Sequence, residues 1–332
     1  MTWRSSRPDV GSPPRPAGVV RVMTRNVYVG ALFDSILSAP SADLLAERVD
    51  SAWRTLLDSS FPDRARVLAR DTAEADPDVV GLQEVARLTM RPKDAVRDEL
   101  LLDYLEILLN ELSALGAEYQ VASICQAADA ELPTRDGSAL RLSVRNVLLA
   151  RKGMHVSHAT ASCFGENLSA IAGGKGGVPI TVLRGWASAD VDIGERSLRI
   201  VNTHFETQPN PRIQRAQCDE LIRILEPIGT PLVVMGDLNS DALGGDTPTY
   251  RTLVSSGFTD AWRSVREDDG CTCCHSSDLR DPHTKLTKRI DHVLVRGDLE
   301  VLDADVVGAT SKTETGLWAS DHAGVLVELR VL

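Results

Sequence analysis

Leu232-Val233-Val234-Met235-Gly236-Asp237-Leu238-Asn239 is the stretch from which the rest of this 332-residue chain is best read. Its apolar run suits a strand buried on both faces. The acid and the amide that follow stand where such a strand ends. One polar residue there usually does no more than turn the chain. The arrangement recurs, however. Asn26 follows Val20–Arg25, Glu84 closes Val79–Gln83, and His204 follows Leu198–Thr203. Asp291 interrupts Arg289–Val293, and Asp321 and His322 precede Ala323–Val327. Strand ends of packed sheets converge on one rim, so these side chains are placed to meet.

Working outward, Val19–Met23 reads as a first strand, and Leu45, Val49, Ala52, Trp53 and Leu56 give Leu44–Leu57 a helical period. Pro62 suits the first turn of a second helix that runs to Ala75. A third helix is predicted over Asp94–Leu115 from its leucine stripe, with Gly116 as the stop. The second half reads as short strands: Ser143–Ala150, Ile180–Asp192, Ser197–Thr203, Leu232–Met235, Ile290–Arg296 and Ala323–Leu329. A hairpin is expected to turn at Ile193-Gly194-Glu195-Arg196, and the Gly-rich Gly165–Gly177 to form a loop. This pattern predicts an α/β fold in which two mixed sheets pack face to face with helices outside. All of it falls in one domain, residues 19–332, behind a Pro/Ser/Arg-rich lead-in over residues 1–18 that is expected to be disordered.

A net charge of −11 argues against a general grip on duplex DNA, which needs a basic face. Aromatic residues are 4% of the chain, so stacking platforms for single strands are scarce. No stretch reaches the ~18 apolar residues of a membrane helix, and the first residues lack the apolar core of a secretory signal. The expected location is therefore the cytoplasm, and the expected state of the six cysteines is the free thiol.

The strand-end residues suit phosphoester hydrolysis. Carboxylates and Asn carbonyls are hard oxygen donors for Mg²⁺, with Mn²⁺ as the alternative. Such an ion polarises a phosphoryl oxygen and acidifies a bound water. Histidines hold phosphate charge or carry protons near neutral pH. The ordered set Thr24-x-Asn26, Gln83-Glu84, Asn202-Thr203-His204, Gly236-Asp237-Leu238-Asn239, Arg289-Ile290-Asp291 and Ser320-Asp321-His322 resembles the endonuclease/exonuclease/phosphatase superfamily. The resemblance runs from Val19 to about Leu332. It implies a four-layer α/β/β/α sandwich of the DNase I-like kind, with a Mg²⁺-dependent site and a phosphoester substrate. It implies that Glu84 is the main metal ligand, with Asn26 close to it and Asp237 and Asp321 in the same set. Asp237 and Asn239 would position the attacking water and the phosphate, and His204 would contact the phosphate. Asp321 and His322 would form an Asp-His dyad, and Asp291 would support a catalytic histidine. Both Asp237 and His322 stand as candidates for the general base. Asn146 resembles a substrate-side Asn of some members.

Asn26-Val27-Tyr28 is more similar to the bacterial sphingomyelinase branch than to the abasic-site endonucleases, which carry an acid two positions after the Asn. The expected activity is a phosphodiesterase acting on a small or lipid-type phosphodiester. The alternatives are a nuclease on DNA or RNA and a catalytically silent binding module, although none of the Glu, Asp and His residues of the six motifs is lost. Cys271-Thr272-Cys273-Cys274-His275 invites a zinc reading, but adjacent cysteines do not easily face one ion. Free thiols are the expectation there, with a metal site or a vicinal disulfide as alternatives.

Overall fold

The computed structural model describes residues 15–229 and 231–332. The disorder expected for residues 1–18 therefore falls largely outside the described residues. Of the four that are described, Arg15 pairs with Asp76 and Asp78, and the carbonyl of Gly18 accepts from Val331 N. Arg15 and Gly18 are half-buried through these contacts, while Pro16 and Ala17 are exposed.

The strands are β1 (Val19–Asn26), β2 (Val79–Arg91), β3 (Glu99–Asp103), β4 (Tyr119–Pro133), β5 (Ala139–Arg151), β6 (Val156–Cys163), β7 (Leu168–Ala172), β8 (Val178–Val182), β9 (Gly185–Ile193), β10 (Arg196–His204), β11 (Leu232–Asp237), β12 (Thr259–Asp260), β13 (Asp291–Arg296), β14 (Leu299–Val307) and β15 (Gly324–Val331). The helices are α1 (Asp34–Leu37), α2 (Ala42–Asp58), α3 (Phe61–Ala75), α4 (Tyr104–Ala114), α5 (Pro211–Leu225), α6 (Thr249–Ser255) and α7 (Ala261–Val265). One sheet runs β14-β15-β1-β2-β5-β4, with β3 also paired to β2; the other runs β12-β13-β11-β10-β9-β6. Both are mixed: β1 is parallel to β2 and antiparallel to β15, and β10 is parallel to β11 and antiparallel to β9.

Period-two alternation sorts the strand residues into layers. Val20, Val22, Val79 and Leu148 of the first sheet meet Ala189, Ile200, Val233 and Met235 of the second in a core between the sheets. Met23, Val80, Leu82 and Leu149 point the other way, onto Leu68 of α3 and Leu108 and Leu112 of α4. On the opposite side, Val201, Leu232 and Val234 pack under Cys218, Leu221 and Leu225 of α5. The outcome is the predicted α/β/β/α layering.

Several elements differ from the sequence reading. Residues 94–103 are not helical. Glu99–Asp103 pairs with β2 instead, and the helix starts at Tyr104 because the Asp103 side chain accepts from Leu105 N at 3.0 Å, a helix N-cap. The Gly165–Gly177 loop holds β7, which forms a two-stranded hairpin with β8. The strand expected over Ile180–Asp192 is broken between Val182 and Gly185, and its halves belong to different sheets. The hairpin at Gly194-Glu195 forms as read, with Ile193 opposite Arg196.

Gly236, beside the last residue of β11, is fixed by crowding. A Cβ there would drive into the carbonyl oxygen of Thr203 on the neighbouring strand. We expect Gly236→Ala to part β10 from β11 and to cost about 3 kcal/mol, the upper range for overpacking a buried site, read as a lower midpoint in urea unfolding. An unchanged midpoint would show that the strands part freely at this position.

Candidate active site

Register brings the site together. His204 ends β10 beside Asp237, the last residue of β11, and Asp237 faces Asp291, the first residue of β13. These three come from one sheet. The other sheet supplies Asn26 at the end of β1, Glu84 within β2, and Asp321 and His322 just ahead of β15. Glu84 reaches the site because β2 slips register against β5 between Leu82 and Val85, a bulge at which Glu84 takes φ 60°. Bulges re-aim side chains in this way beside functional sites.

Asn26 Nδ2 donates to Glu84 Oε1 and to Asp237 Oδ2, both at 3.1 Å, which ties the carboxylates of the two sheets together. Its Oδ1 accepts from Tyr28 N at 2.9 Å. Asn26 therefore offers its amide hydrogens to the carboxylates while its oxygen is held by the backbone of Tyr28. Glu84 Oε2 also accepts from Val29 N at 2.8 Å. Asn239 takes φ 48°, and its N donates to Asp237 Oδ1 at 2.9 Å while its side-chain amide lies 3.1 Å from His204 Nε2.

The expected Asp321-His322 dyad is not the one present. His322 Nδ1 is hydrogen-bonded to Asp291 Oδ2 at 2.8 Å, whereas Asp321 Oδ1 is 4.0 Å from Nε2. Neighbours in sequence turn their side chains apart, while Asp291 comes alongside from β13. Among the described residues, the second oxygen of Asp291 has no hydrogen-bond partner. Asn146 is also not at the site. It lies buried in β5, donates to Gly185 O at 3.2 Å and stays outside the cavity wall.

Charge separates the two histidines. Burial alone would lower the pKa of His322, but Asp291, Asp321 and Asp237 outweigh it and raise the ring well above its ordinary value. Burial, then Arg184, then His322 hold His204 well below its ordinary value. His322 is therefore cationic and His204 neutral at pH 7. Burial pushes Asp237 up to about 7 against the pull of His322, with Asp291 adding to the rise. Burial likewise raises Asp321 to about 6, opposed by His322 and reinforced by Glu84. Burial is the main cause of both shifts, and the neighbouring carboxylates add to it.

Ligand atoms of Asp237, Asp291 and His322 lie within 4.8 Å of one another. A histidine protonated by its carboxylate partner has no lone pair for a metal, so the hard oxygens of Glu84, Asp237 and Asp321 are the better donor set.

Arg184 is a site residue that the sequence reading missed. It stands between β8 and β9 with Nη1 3.0 Å from His204 Nδ1 and Nη2 3.7 Å from Glu206. A lone Arg between two strands carries no pattern that would flag it. The cluster at 271–275 is a different matter. Cys273 and Cys274 are joined in a vicinal disulfide, which corrects the expectation of free thiols at these two positions and removes them as zinc ligands. Cys125, Cys163, Cys218 and Cys271 are free. Backbone bridges hold Cys273 between Lys288 and His322, which keeps the two sulfurs on one short, fixed segment. His275 stacks on Trp318, with ring centroids 4.0 Å apart.

Among the described residues, no helix is long and apolar enough to cross a membrane. Comparison with known proteins agrees with the geometry. The model of the "Endonuclease/Exonuclease/phosphatase family" matches residues 53–322. Among curated proteins, none matches the chain significantly. Solved structures of the same fold include an endonuclease/exonuclease/phosphatase from Beutenbergia cavernae, with 20% identity, TM-score 0.59, and coverage of 94% of this chain and 72% of that one. A family protein from Leptotrichia buccalis has 19% identity and TM-score 0.58, over 94% and 99% of the two chains. A humanized D. rerio TDP2 has 15% identity and TM-score 0.57, over 95% and 100%. With the family model spanning most of its length, this chain belongs to the endonuclease/exonuclease/phosphatase family, whose members are metal-dependent hydrolases of phosphoester bonds.

Proposed function

We propose that the protein is a Mg²⁺-dependent phosphodiesterase acting on a small or lipid-type phosphodiester, with Mn²⁺ as an alternative ion. The observation that carries this reading is the union of Glu84, Asp237 and Asn26 from opposed sheets beside a cationic His322. Glu84, Asp237 and Asp321 are the residues that would hold the ion. The chemistry a bound divalent ion supplies is polarisation of a phosphoryl oxygen and a lowered pKa of water. Asp237, held between Asn26 and the backbone of Asn239, is placed to take the proton of the attacking water. As the water oxygen bonds to phosphorus, the ester P–O bond breaks, and the leaving oxygen receives its proton from His322. His322 and Arg184 face the growing negative charge, and Asn239 fixes neutral His204 beside them. Of the two candidates for the base, this assigns Asp237, because a ring kept protonated by Asp291 is an acid.

A nuclease is the second reading. A D. rerio TDP2 structure "complexed with single strand DNA product" shares the fold at 16% identity. The net charge of −11 argues against duplex DNA. Plasmid nicking should be slower than turnover of a small phosphodiester at physiological salt; the reverse order would make the nuclease reading the better one.

Glu84→Gln keeps the shape of the side chain and removes the charge that attracts the ion. It should lower kcat by at least ~10²-fold with the fold intact by circular dichroism. A rate unchanged at saturating Mg²⁺ would remove Glu84 from the ion-binding set.

His322→Ala should lose at least ~10²-fold in kcat/KM, the low end for a positioned acid. Asp291→Asn removes the largest influence that raises His322, so the ring loses its proton at lower pH. The high-pH limb of kcat/KM should therefore move to lower pH in this variant, and Asp291→Asn should add little on top of His322→Ala. Asp321→Asn, which has no hydrogen bond to the ring and stands in the proposed ion-binding set, should add most of its own loss to His322→Ala. pH-rate profiles on one activated phosphodiester decide the matter: an unmoved limb in Asp291→Asn would reject the pairing.

A further inference from the structure

The catalytic groups occupy one end of a larger cavity of about 320 Å³. At that end lie Glu84, Arg184, His204, Asp237, Asn239 and His322. Tyr28, Glu206, Thr207 and Asp321 border them, and apart from Asp34 and Thr181 the rest of the wall is apolar. Phe33 and Ile36 come from the start of α1, Ala130 and Leu142 from β4 and β5, and Ile180 and Val182 from β8. Most of the space left after a phosphate is seated is therefore bounded by hydrocarbon.

This chamber is built from elements that need not have been there to make the fold. The β7–β8 hairpin belongs to neither main sheet. It is fastened over the β4–β5 face by Gly173 N, which donates to Ala39 O at 2.8 Å, and by burial of Ala172 and Ile180 against Ile36 and Leu45. At Gly174, a Cβ would collide with the carbonyl of Pro40, so the closeness of hairpin and helix is fixed by that glycine. Leu32 lines the mouth and is 60% exposed, an apolar side chain left in water beside an apolar space.

We infer that the chamber receives an apolar group, alkyl or aryl, attached to the scissile phosphate, so that the substrate is an amphipathic phosphoester entering as a single molecule. This rests on the phosphoesterase reading and narrows it. Three observations favour that occupant. The chamber opens directly onto the site, so whatever fills it is bonded to or beside the phosphate. Ligand pockets are concave, mostly apolar and oriented by a few polar groups at one place, which is the distribution here. A nucleobase, by contrast, is read through donors and acceptors on its edges or stacked on aromatic rings, and away from the catalytic end the wall offers chiefly aliphatic side chains. At ~30 Å³ for each water displaced, the whole cavity takes on the order of ten heavy atoms, the phosphate included.

The test uses the whole protein with Mg²⁺ and a series of n-alkylphosphonates from methyl to octyl, kept below their aggregation concentrations, with Kd measured by calorimetry. Kd should tighten about fourfold per added methylene, the gain for burying one CH₂, and then level off once the chamber is full. Ala128→Trp and Ala130→Trp, which fill the chamber from β4, should collapse the octyl-to-methyl affinity ratio toward one; two variants are used in case one fails to fold. A ratio within twofold in the wild type, or one unchanged in both folded variants, overturns the inference. Hydrolysis of methyl p-nitrophenyl phosphate, which carries no chain, separates the two readings. If that ester is turned over and lost with Glu84→Gln while chain length has no effect, the chamber assignment alone fails. If no ester is turned over, the phosphonate series still decides whether the chamber binds apolar chains.

Discussion

The amide of Asn202 joins the two sheets at the end where the site lies. Its Nδ2 donates to Leu82 O at 2.9 Å and Val147 O at 3.0 Å in the opposite sheet, and its Oδ1 accepts from Gln83 Nε2 at 2.6 Å. Gln83 in turn donates to Thr24 Oγ1 at 3.1 Å. Leu82 sits where β2 slips register against β5, so Asn202 supplies donors at a point of broken pairing. Unpaired buried carbonyls are costly, and a fully satisfied polar network in a dry interior holds its members in one arrangement. Gly81 shows how close the sheets come, since a Cβ there would lie 2.8 Å from Asn202 Oδ1. The residues that flank the candidate site residues in the motifs, Thr24, Gln83 and Asn202, thus fix the spacing of the sheets. Asn26, Glu84 and His204, one or two positions further along, gain a fixed separation from them.

The strand register then sets the electrostatics. His204, Asp237 and Asp291 lie side by side across β10, β11 and β13. Like charges opposite each other in a sheet repel, and here Asp237 and Asp291 face each other in a dry environment. Part of the relief comes from the His322 ring, which bonds to Asp291 and lies 3.9 Å from Asp237. The same two carboxylates keep that ring charged. His204 is held low by its burial and by Arg184, although Asp237 Oδ2 lies 3.3 Å from its Nε2. Two histidines of identical intrinsic chemistry are driven to different protonation states by their neighbours, and neither state follows from residue identity alone.

This marks the line between what the sequence made legible and what it did not. Buried strands such as Val79–Gln83 and Leu232–Gly236 are continuous apolar runs and were readable as strands. The residues that close them were readable as candidates because several such endings share one chemistry. The long strand Tyr119–Pro133 was not readable: Val121 and Ile124 are exposed, and Gln-Ala-Ala-Asp-Ala-Glu carries no face. A leucine run over residues 100–102 mimicked a helix until Asp103 capped the real one. The partner of His322 was missed because adjacency in sequence favours Asp321, whereas adjacency in the sheet delivers Asp291. Arg184 was missed because its place beside His204 is a fact of packing.

The loop between β1 and α1 links the catalytic end to the apolar chamber. Within eleven residues it runs from Asn26, which binds both site carboxylates, through Val29, which donates to Glu84, to Phe33 and Ile36 in the chamber wall. Arg64, fully buried, fastens this loop by donating to Val27 O, Tyr28 O and Ala319 O at 2.8, 3.0 and 3.0 Å. Tyr104 adds a bond from its hydroxyl to Val29 O at 2.7 Å. The segment that orients Glu84 is thus the one that lines the chamber. In an enzyme, contacts remote from the reacting atoms raise the rate only if they are felt more strongly at the transition state. This loop puts the apolar end of the cavity and Glu84, the proposed ion ligand, on one backbone segment held by Arg64 and Tyr104.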